Sequence, residues 1–417
     1  MLENEVLVVG GGLAGSTAAL AAARTGASVR LVSAKESTLR QASGLADFLG
    51  YVDGDLVADP AAAVADLPED HPYRVVGSDA IERGFALFDE VTGDTYTGSD
   101  RNVLVPTTRG TVKPTYRYPT SVQPGLAGDD RETLLVSFAH DSDFDAPLAA
   151  ATLDETIPGT VRGVDVEFPV DLRDDAKSTR VAKLLGEDGG VRGDLTRAIE
   201  PHLGDAERVG FPAVLGDDPG PVCNSLGKAV GVPVFEVPTG PPSLPGVRLR
   251  DRFREALLEA GVSVTTGCPM VGFEAGDNSD GSDDGERITV VEMDRNGATI
   301  PHAPEQVVLA TGGLVGGGVE ADRETVREPL FDLYVDAPDD RYDWSETGAF
   351  DRHAFPRFGV SIDDDGRPRT ANGSVAYDNL RAAGSVVRGA DFANECSGSG
   401  ISLATGWLAG TRAGESV

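Results

Sequence analysis

The chain has 417 residues and a mass of 43.4 kDa, a length that suits two domains and a sizeable core. Hydrophobic residues make up 40% of it, which excludes a disordered chain, and 68 Asp and Glu against 36 Lys and Arg leave a formal net charge of −32 that excludes a nucleic-acid partner. Only five of the cations are lysine. A carboxylate-rich, lysine-poor surface suits a cytoplasm of molar salt, where the Debye length falls to about 3 Å and self-repulsion is screened.

In chain order, Val6–Val9 is a buried β-branched run, Gly10–Gly15 a turn, Ser16–Arg24 an alanine-rich helix closed by Gly26, and Ser28–Val32 a second strand. The chain therefore opens as a βαβ unit. Residues 6–23 are apolar, but Glu3 and Glu5 stand where a signal peptide carries basic residues, and no other stretch is long and apolar enough to span a membrane. Residues 61–235 hold irregular strands, Pro/Gly-rich loops and two short helical segments, 176–185 and 191–203, the pattern of an inserted domain. From Gly246 the doubly wound pattern resumes: Val247, Phe253, Leu257 and Leu258 line a helix that Gly261 stops, and the strand Val262–Thr265 follows. Strands at Val271–Ala275 and Ile288–Met293 flank an acidic, Gly-rich hairpin tip at Gly276–Glu286. A strand at Gln306–Ala310, a short strand near Val386–Val387 and a helix over Gly400–Gly410 complete the series. Cys223, Cys268 and Cys396 contain no CxxC spacing, which argues against a disulfide framework, an iron–sulfur cluster or a zinc site and predicts a reducing compartment.

Three glycine motifs carry the chemistry. Gly10-x-Gly12-x-x-Gly15 follows a strand and opens a helix, the context of a dinucleotide fingerprint: Gly10 turns, Gly12 admits a pyrophosphate to the backbone, and Gly15 lets helix and sheet pack closely. About 20 residues on, where an acid would bind the ribose hydroxyls, stands Ser33, and the next acid is Glu36. Both FMN and an atypically held FAD remain open on that evidence. The second motif is the strand 307–310 running into Thr311-Gly312-Gly313. The third is Asn379–Gly384 followed by Gly398-Ser399-Gly400-Ile401, a glycine-rich turn opening an apolar helix whose free amides suit the electron-rich edge of a reduced isoalloxazine. These motifs predict an α/β, Rossmann-like flavoprotein fold of the fumarate-reductase type. Its flavin-binding domain is discontinuous, residues 1–60 plus 236–417, and 61–235 form an inserted α+β domain that caps the substrate or contacts a partner.

The segments VLVVGGGLAGSTAAL, STLRQASGLADFLGY (37–51), RGTVKPT (109–115), VPVFEVPTGPPSLPGVRLR (232–250), NLRAAGSVV and CSGSGISLATGWLAG together resemble the B subunit of anaerobic glycerol-3-phosphate dehydrogenase in its halophilic archaeal form. The resemblance covers nearly the whole chain. It implies a complex in which an A subunit carries FAD, a C subunit carries iron–sulfur clusters and the membrane attachment, and this chain carries FMN. It further implies oxidation of sn-glycerol 3-phosphate, a small phosphorylated polyol, to dihydroxyacetone phosphate with electrons passed to the quinone pool. The location implied is cytoplasmic, on the inner face of the membrane through the partner. In the same superfamily the loop after the second strand folds over the isoalloxazine, which places Ser43 and Gly44 at the flavin. Lys113 and Arg248, cations in family-like segments otherwise poor in charge, are the candidates for holding the phosphate, and His353 is the candidate base. A stand-alone flavin dehydrogenase and a cofactor-free scaffold subunit are the alternatives.

Overall fold

The computed structural model describes residues 2–139, 143–172, 177–277, 286–349 and 351–417. The chain folds as two compact units, one of residues 1–38, 51–91 and 252–417 and the other of 39–50 and 92–251.

The first unit begins with β1 (Leu2–Val9), α1 (Leu13–Arg24) and β2 (Val29–Ser33). Val6, Leu7 and Val8 are wholly buried, as a continuous aliphatic run at the centre of a sheet must be. α2 (Pro72–Thr92) is interrupted at Gly77, and α3 (Leu244–Glu259) leads the chain into β3 (Ser263–Thr266). β4 (Met270–Asp277), β5 (Glu286–Arg295), β6 (Ala298–Leu309), β7 (Leu380–Ala382) and α4 (Gly398–Glu415) follow.

The sheet runs β3-β2-β1-β6-β5-β4, with β7 also on β6. β3, β2, β1, β6 and β7 are parallel, in a register that brings Val9 level with Val32 and Leu309, and Leu309 level with Ala382. Their carboxyl ends therefore share one edge, where an open α/β sheet binds its ligand. β6 is more than twice the expected length because its first half pairs antiparallel with β5, Arg295 opposite Ala298. β4 and β5 pair antiparallel from Met270 opposite Met293 to Asp277 opposite Glu286. The hairpin tip expected between them falls at 278–285, outside the described residues. The strand expected at Val386–Val387 lies instead at 380–382, where buried Leu380 and Ala382 continue the β6 ladder. Gly384–Val386 is a 3-10 turn.

α2 lies in the first unit although its residues fall within the span expected to be inserted. Its buried face carries Phe85, Leu87 and Phe88, and a methyl on Gly84 would sit 2.7 Å from the backbone of Leu403 in α4. Helices that approach this closely share one core.

The second unit contains a four-stranded parallel sheet, Val234–Val237, Arg208–Pro212, Thr133–Phe138 and Val161–Val166 in spatial order. The helices expected near 176–185 and 191–203 are Ser178–Glu187 and Gly189–Ile199. They cover one face of the sheet through Val181, Leu185, Leu195 and Ile199, and Ala146–Asp154 covers the other through Ala149, Ala150 and Leu153. An antiparallel pair, Tyr96–Pro106 with Val112–Pro119, completes it.

Candidate functional site

β1 ends in a turn that only glycine can make. Gly10 has φ +123°, and a methyl there would lie 2.0 Å from the carbonyl oxygen of Ala310. A methyl on Gly15 would lie 1.9 Å from the Gly10 oxygen, so α1 starts directly against the turn. Gly12 differs: a methyl there meets only Thr38 Oγ1, at 3.2 Å. The first intrahelical bond is Ser16 N–H to Gly12 O, and no side chain caps α1. The amides of Leu13, Ala14 and Gly15 thus present donors and the positive end of the helix dipole beside an unobstructed backbone. Gly11 backs onto Ser33, whose hydroxyl donates to Lys35 O at 2.7 Å.

The second motif stands against the first. Ala310 N–H donates to Val9 O, and Thr311 Oγ1 is buried with no hydrogen-bond partner. A buried hydroxyl without a partner costs about 1–3 kcal/mol unless a ligand completes it. Gly312, at φ +91°, then leads into a glycine loop tied back by Gly313 N–H to Ser385 Oγ at 3.0 Å.

The third motif joins the same group. Gly384 N–H donates to Thr405 Oγ1 of α4 at 2.8 Å, and a methyl on Gly384 would come within 2.7 Å of the Ala14 Cβ in α1. α1 and α4 pack backbone against backbone through a ridge of three glycines spaced four residues apart. Methyls on Gly406, Gly410 and Gly414 would lie 2.6, 2.1 and 2.9 Å from the carbonyl oxygens of Ala14, Ala18 and Ala22. Matching rows of increasing number mean that the helices run parallel. Residue 406 is level with residue 14, so the Gly398 end of α4 extends eight residues further, about 12 Å beyond that level. Gly398, Ser399, Gly400 and Ile401 form its first turn, and Ser397 stands at its cap without a side-chain bond to it.

One helix end open for a pyrophosphate, a second about 12 Å further on, and an orphaned hydroxyl between the motifs form a cradle that fits a flavin nucleotide. Gly10, Gly12, Gly15, Thr311, Gly312, Gly384 and Gly398–Ile401 would hold it.

The remaining expected residues have other surroundings. Ser43 Oγ accepts from Leu45 N–H, and Gly44 O accepts from Tyr96 OH at 2.7 Å, both within the second unit. Lys113 pairs with Asp47 at 3.1 Å. Arg248 commits four of its five N–H donors to Glu236 and Gly216 O. Glu236 is fully buried and also accepts from Ser121 Oγ and Leu215 N–H. That is the geometry of a structural ion pair. His353 accepts at Nδ1 from Glu346 N–H and stacks on Phe355, which fastens its own loop. Ser385 and Thr405 were not singled out in the sequence; a hydroxyl beside each glycine turn is the signal that marks them.

Comparison with known proteins now bears on this cradle. A family model described as an FAD binding domain matches residues 5–401. A Halobacterium salinarum protein, named as the probable B subunit of anaerobic glycerol-3-phosphate dehydrogenase, is 51% identical, over 100% of this chain and 99% of that protein. The chain belongs to the family of anaerobic glycerol-3-phosphate dehydrogenase B subunits. The corresponding B subunit from Yersinia enterocolitica is 30% identical, over 96% of both chains. Among solved structures, a 3-ketosteroid Δ1-dehydrogenase from Sterolibacterium denitrificans aligns over 100% of both chains with 11% identity and a TM-score of 0.47. Members of this family are flavin-binding oxidoreductase subunits, and the α/β fold described above is this chain's version of the FAD binding domain. No helix among the described residues is long and apolar enough to cross a membrane.

Proposed function

We propose that this chain is the flavin-bearing B subunit of a glycerol-3-phosphate dehydrogenase that oxidises sn-glycerol 3-phosphate to dihydroxyacetone phosphate and delivers the electrons to quinone. The observation that carries the reading is the 51% identity over the full length of the Halobacterium protein. The cofactor is FAD rather than FMN, a choice supported by the FAD-binding model matched over 5–401 and by the 398–401 turn standing well beyond the α1 amides. When bound, a flavin supplies a hydride and electron acceptor at N5. The chain's own part is to hold and bias it. Gly12 and the amides of residues 13–15 bind the pyrophosphate, Thr311 Oγ1 donates beside them, and the amides of Gly398 and Gly400 stabilise negative charge on the pyrimidine edge.

The partners are an FAD-bearing A subunit and an iron–sulfur C subunit that attaches the complex to the inner face of the membrane. The second unit of this chain caps the substrate or contacts a partner. Committed as Arg248 and Lys113 are to Glu236 and Asp47, the reading is best supported with this chain as an electron relay between the other two.

The test is the visible spectrum of the chain purified alone in high salt, with the flavin released by denaturation and identified by chromatography. Released FAD supports the reading, and released FMN moves the cofactor assignment. A colourless, folded chain overturns it in favour of a scaffold. Oxidation of glycerol 3-phosphate by the isolated chain with an artificial acceptor overturns the relay role.

A further inference from the structure

The first turn of α4 is uncapped although its cap residue is serine. A serine at this position ordinarily takes an extended backbone and accepts from the second or third amide of the helix. Ser397 does neither: its ψ is −3°, it forms no bond to the helix, and its Oγ donates to Glu395 Oε2 at 2.9 Å. It is fully buried, as is Tyr73 beside it, and the Glu395 side chain is 14% exposed. Tyr73 OH donates to Ser397 O at 3.1 Å, and Cys396, between Ser397 and Glu395, adopts φ +49° to fold one side chain back on the other.

Glu395 is itself pinned. His71, 1% exposed, accepts at Nδ1 from Tyr73 N–H, a backbone donor that fixes the tautomer. The ring proton is therefore on Nε2, which donates to Glu395 Oε2 at 3.2 Å, while Glu395 Oε1 accepts from Asp391 N–H at 2.9 Å. Burial opposes ionisation of Glu395, but the bonds from His71, the Asp391 amide and Ser397 outweigh it and hold its carboxyl below the usual carboxylate range.

We infer that His71 and Glu395 are positioning residues: they hold Ser397 off the cap of α4 so that the amides of its first turn, those of Gly398 and Gly400 among them, face the flavin. The inference rests on the proposed placement of the flavin at that turn. Release of Ser397 would let its hydroxyl satisfy an amide in competition with the cofactor. Capping by serine is worth about 1–2 kcal/mol, which sets a loss of about 5- to 30-fold in flavin affinity. The electron-rich reduced flavin depends on these amides more than the oxidised form does, so its midpoint potential falls as well.

The experiment compares four full-length variants for FAD dissociation constant and flavin midpoint potential. Glu395→Met removes the acceptor without shrinking the side chain greatly. It should raise the dissociation constant about 5- to 30-fold and lower the potential. Glu395→Met with Ser397→Ala removes the competing hydroxyl and should return both values to within about twofold of the parent, whereas simple loosening would leave the double variant as impaired as the single one. Glu395→Gln keeps one acceptor oxygen for His71 and Ser397 but turns its NH2 toward the Asp391 amide, so it should fall between the parent and Glu395→Met. Gly398→Asp places a carboxylate on the same turn and tests the flavin placement directly, since a side chain there meets only Phe392, at 3.7 Å. If Gly398→Asp weakens binding and Glu395→Met does not, the clamp is refuted alone. If neither changes either value, the placement fails and the clamp with it. A double variant no better than Glu395→Met also refutes the clamp.

Discussion

Gly12→Val separates cofactor binding from folding more cleanly than any other change at the fingerprint. Gly12 has φ −79° and ψ −170°, extended backbone that valine adopts readily, and its added Cβ meets only the Thr38 hydroxyl at 3.2 Å. Replacing a helix-cap glycine by valine costs less than about 1 kcal/mol, partly offset by the reduced freedom of the unfolded chain. The two γ-methyls would occupy the space in front of the α1 amides. Two charge-assisted bonds to a phosphate lost at about 1.5 kcal/mol each amount to about 3 kcal/mol, or more than a hundredfold in affinity. The assay is a fluorescence titration of apoprotein with FAD in high salt, paired with a thermal melt of the flavin-free chain. Gly15→Ala is the contrast, because its methyl would strike the Gly10 oxygen at 1.9 Å. That overpacking costs about 3 kcal/mol and lowers the melt by about 6–12 °C. An unchanged FAD affinity in Gly12→Val refutes the pyrophosphate assignment. A melt that falls as far as in Gly15→Ala refutes the claim that Gly12 is free of packing duty.

Three further outcomes are expected. Gly410→Ala places a methyl 2.1 Å from the Ala18 oxygen and should cost about 1–3 kcal/mol by thermal melt, with weaker flavin retention, whereas Gly398→Ala should leave the melt within about 1 kcal/mol. Arg248→Met leaves the fully buried Glu236 without its counter-charge and should lower stability by about 3–5 kcal/mol in denaturant unfolding; pairing it with Glu236→Leu should recover most of the loss. The Arg131 side chain, bonding to Asp129, holds that carboxyl down to about 2, below the 3.8 of a free aspartate. Its stabilising contribution is therefore complete above about pH 4 and lost as the pH falls through 2, and Asp129→Asn should flatten that part of the stability curve measured by urea unfolding.

The glycine turns were legible because their constraint is local: a positive φ or a close backbone approach leaves few residue types to choose from. The same logic left the Gly406, Gly410 and Gly414 ridge unread, although its four-residue spacing is visible, because the surface it meets lies nearly 400 residues earlier. His71 and Glu395 are separated by 324 positions, and neither carries a pattern that announces the other. Lys113 and Arg248 looked available because their own segments are poor in charge, but Asp47 and Glu236 reach them from other parts of the second unit. The strand at 380–382 was missed for 386–387 because two valines outweigh Leu-Arg-Ala in local propensity, and only the ladder with β6 decides between them.

The parallel packing of α1 on α4 also governs when the fold can form. β1 pairs with residues 302–309 on the side away from β2, and α1 rests on residues 398–415, so β1 and α1 complete their neighbours beyond β2 and each other only when nearly 400 further residues have been made. At about 5–20 residues per second that delay is on the order of 20–80 s. During it, a strand as apolar as Val6–Val9 and an uncovered alanine helix are exposed to wrong partners. The second unit, whose sheet strands all fall between 96 and 237, has no such wait. Synthesis therefore yields a finished second unit ahead of the α1–α4 pairing, which is complete only once residue 415 has been made.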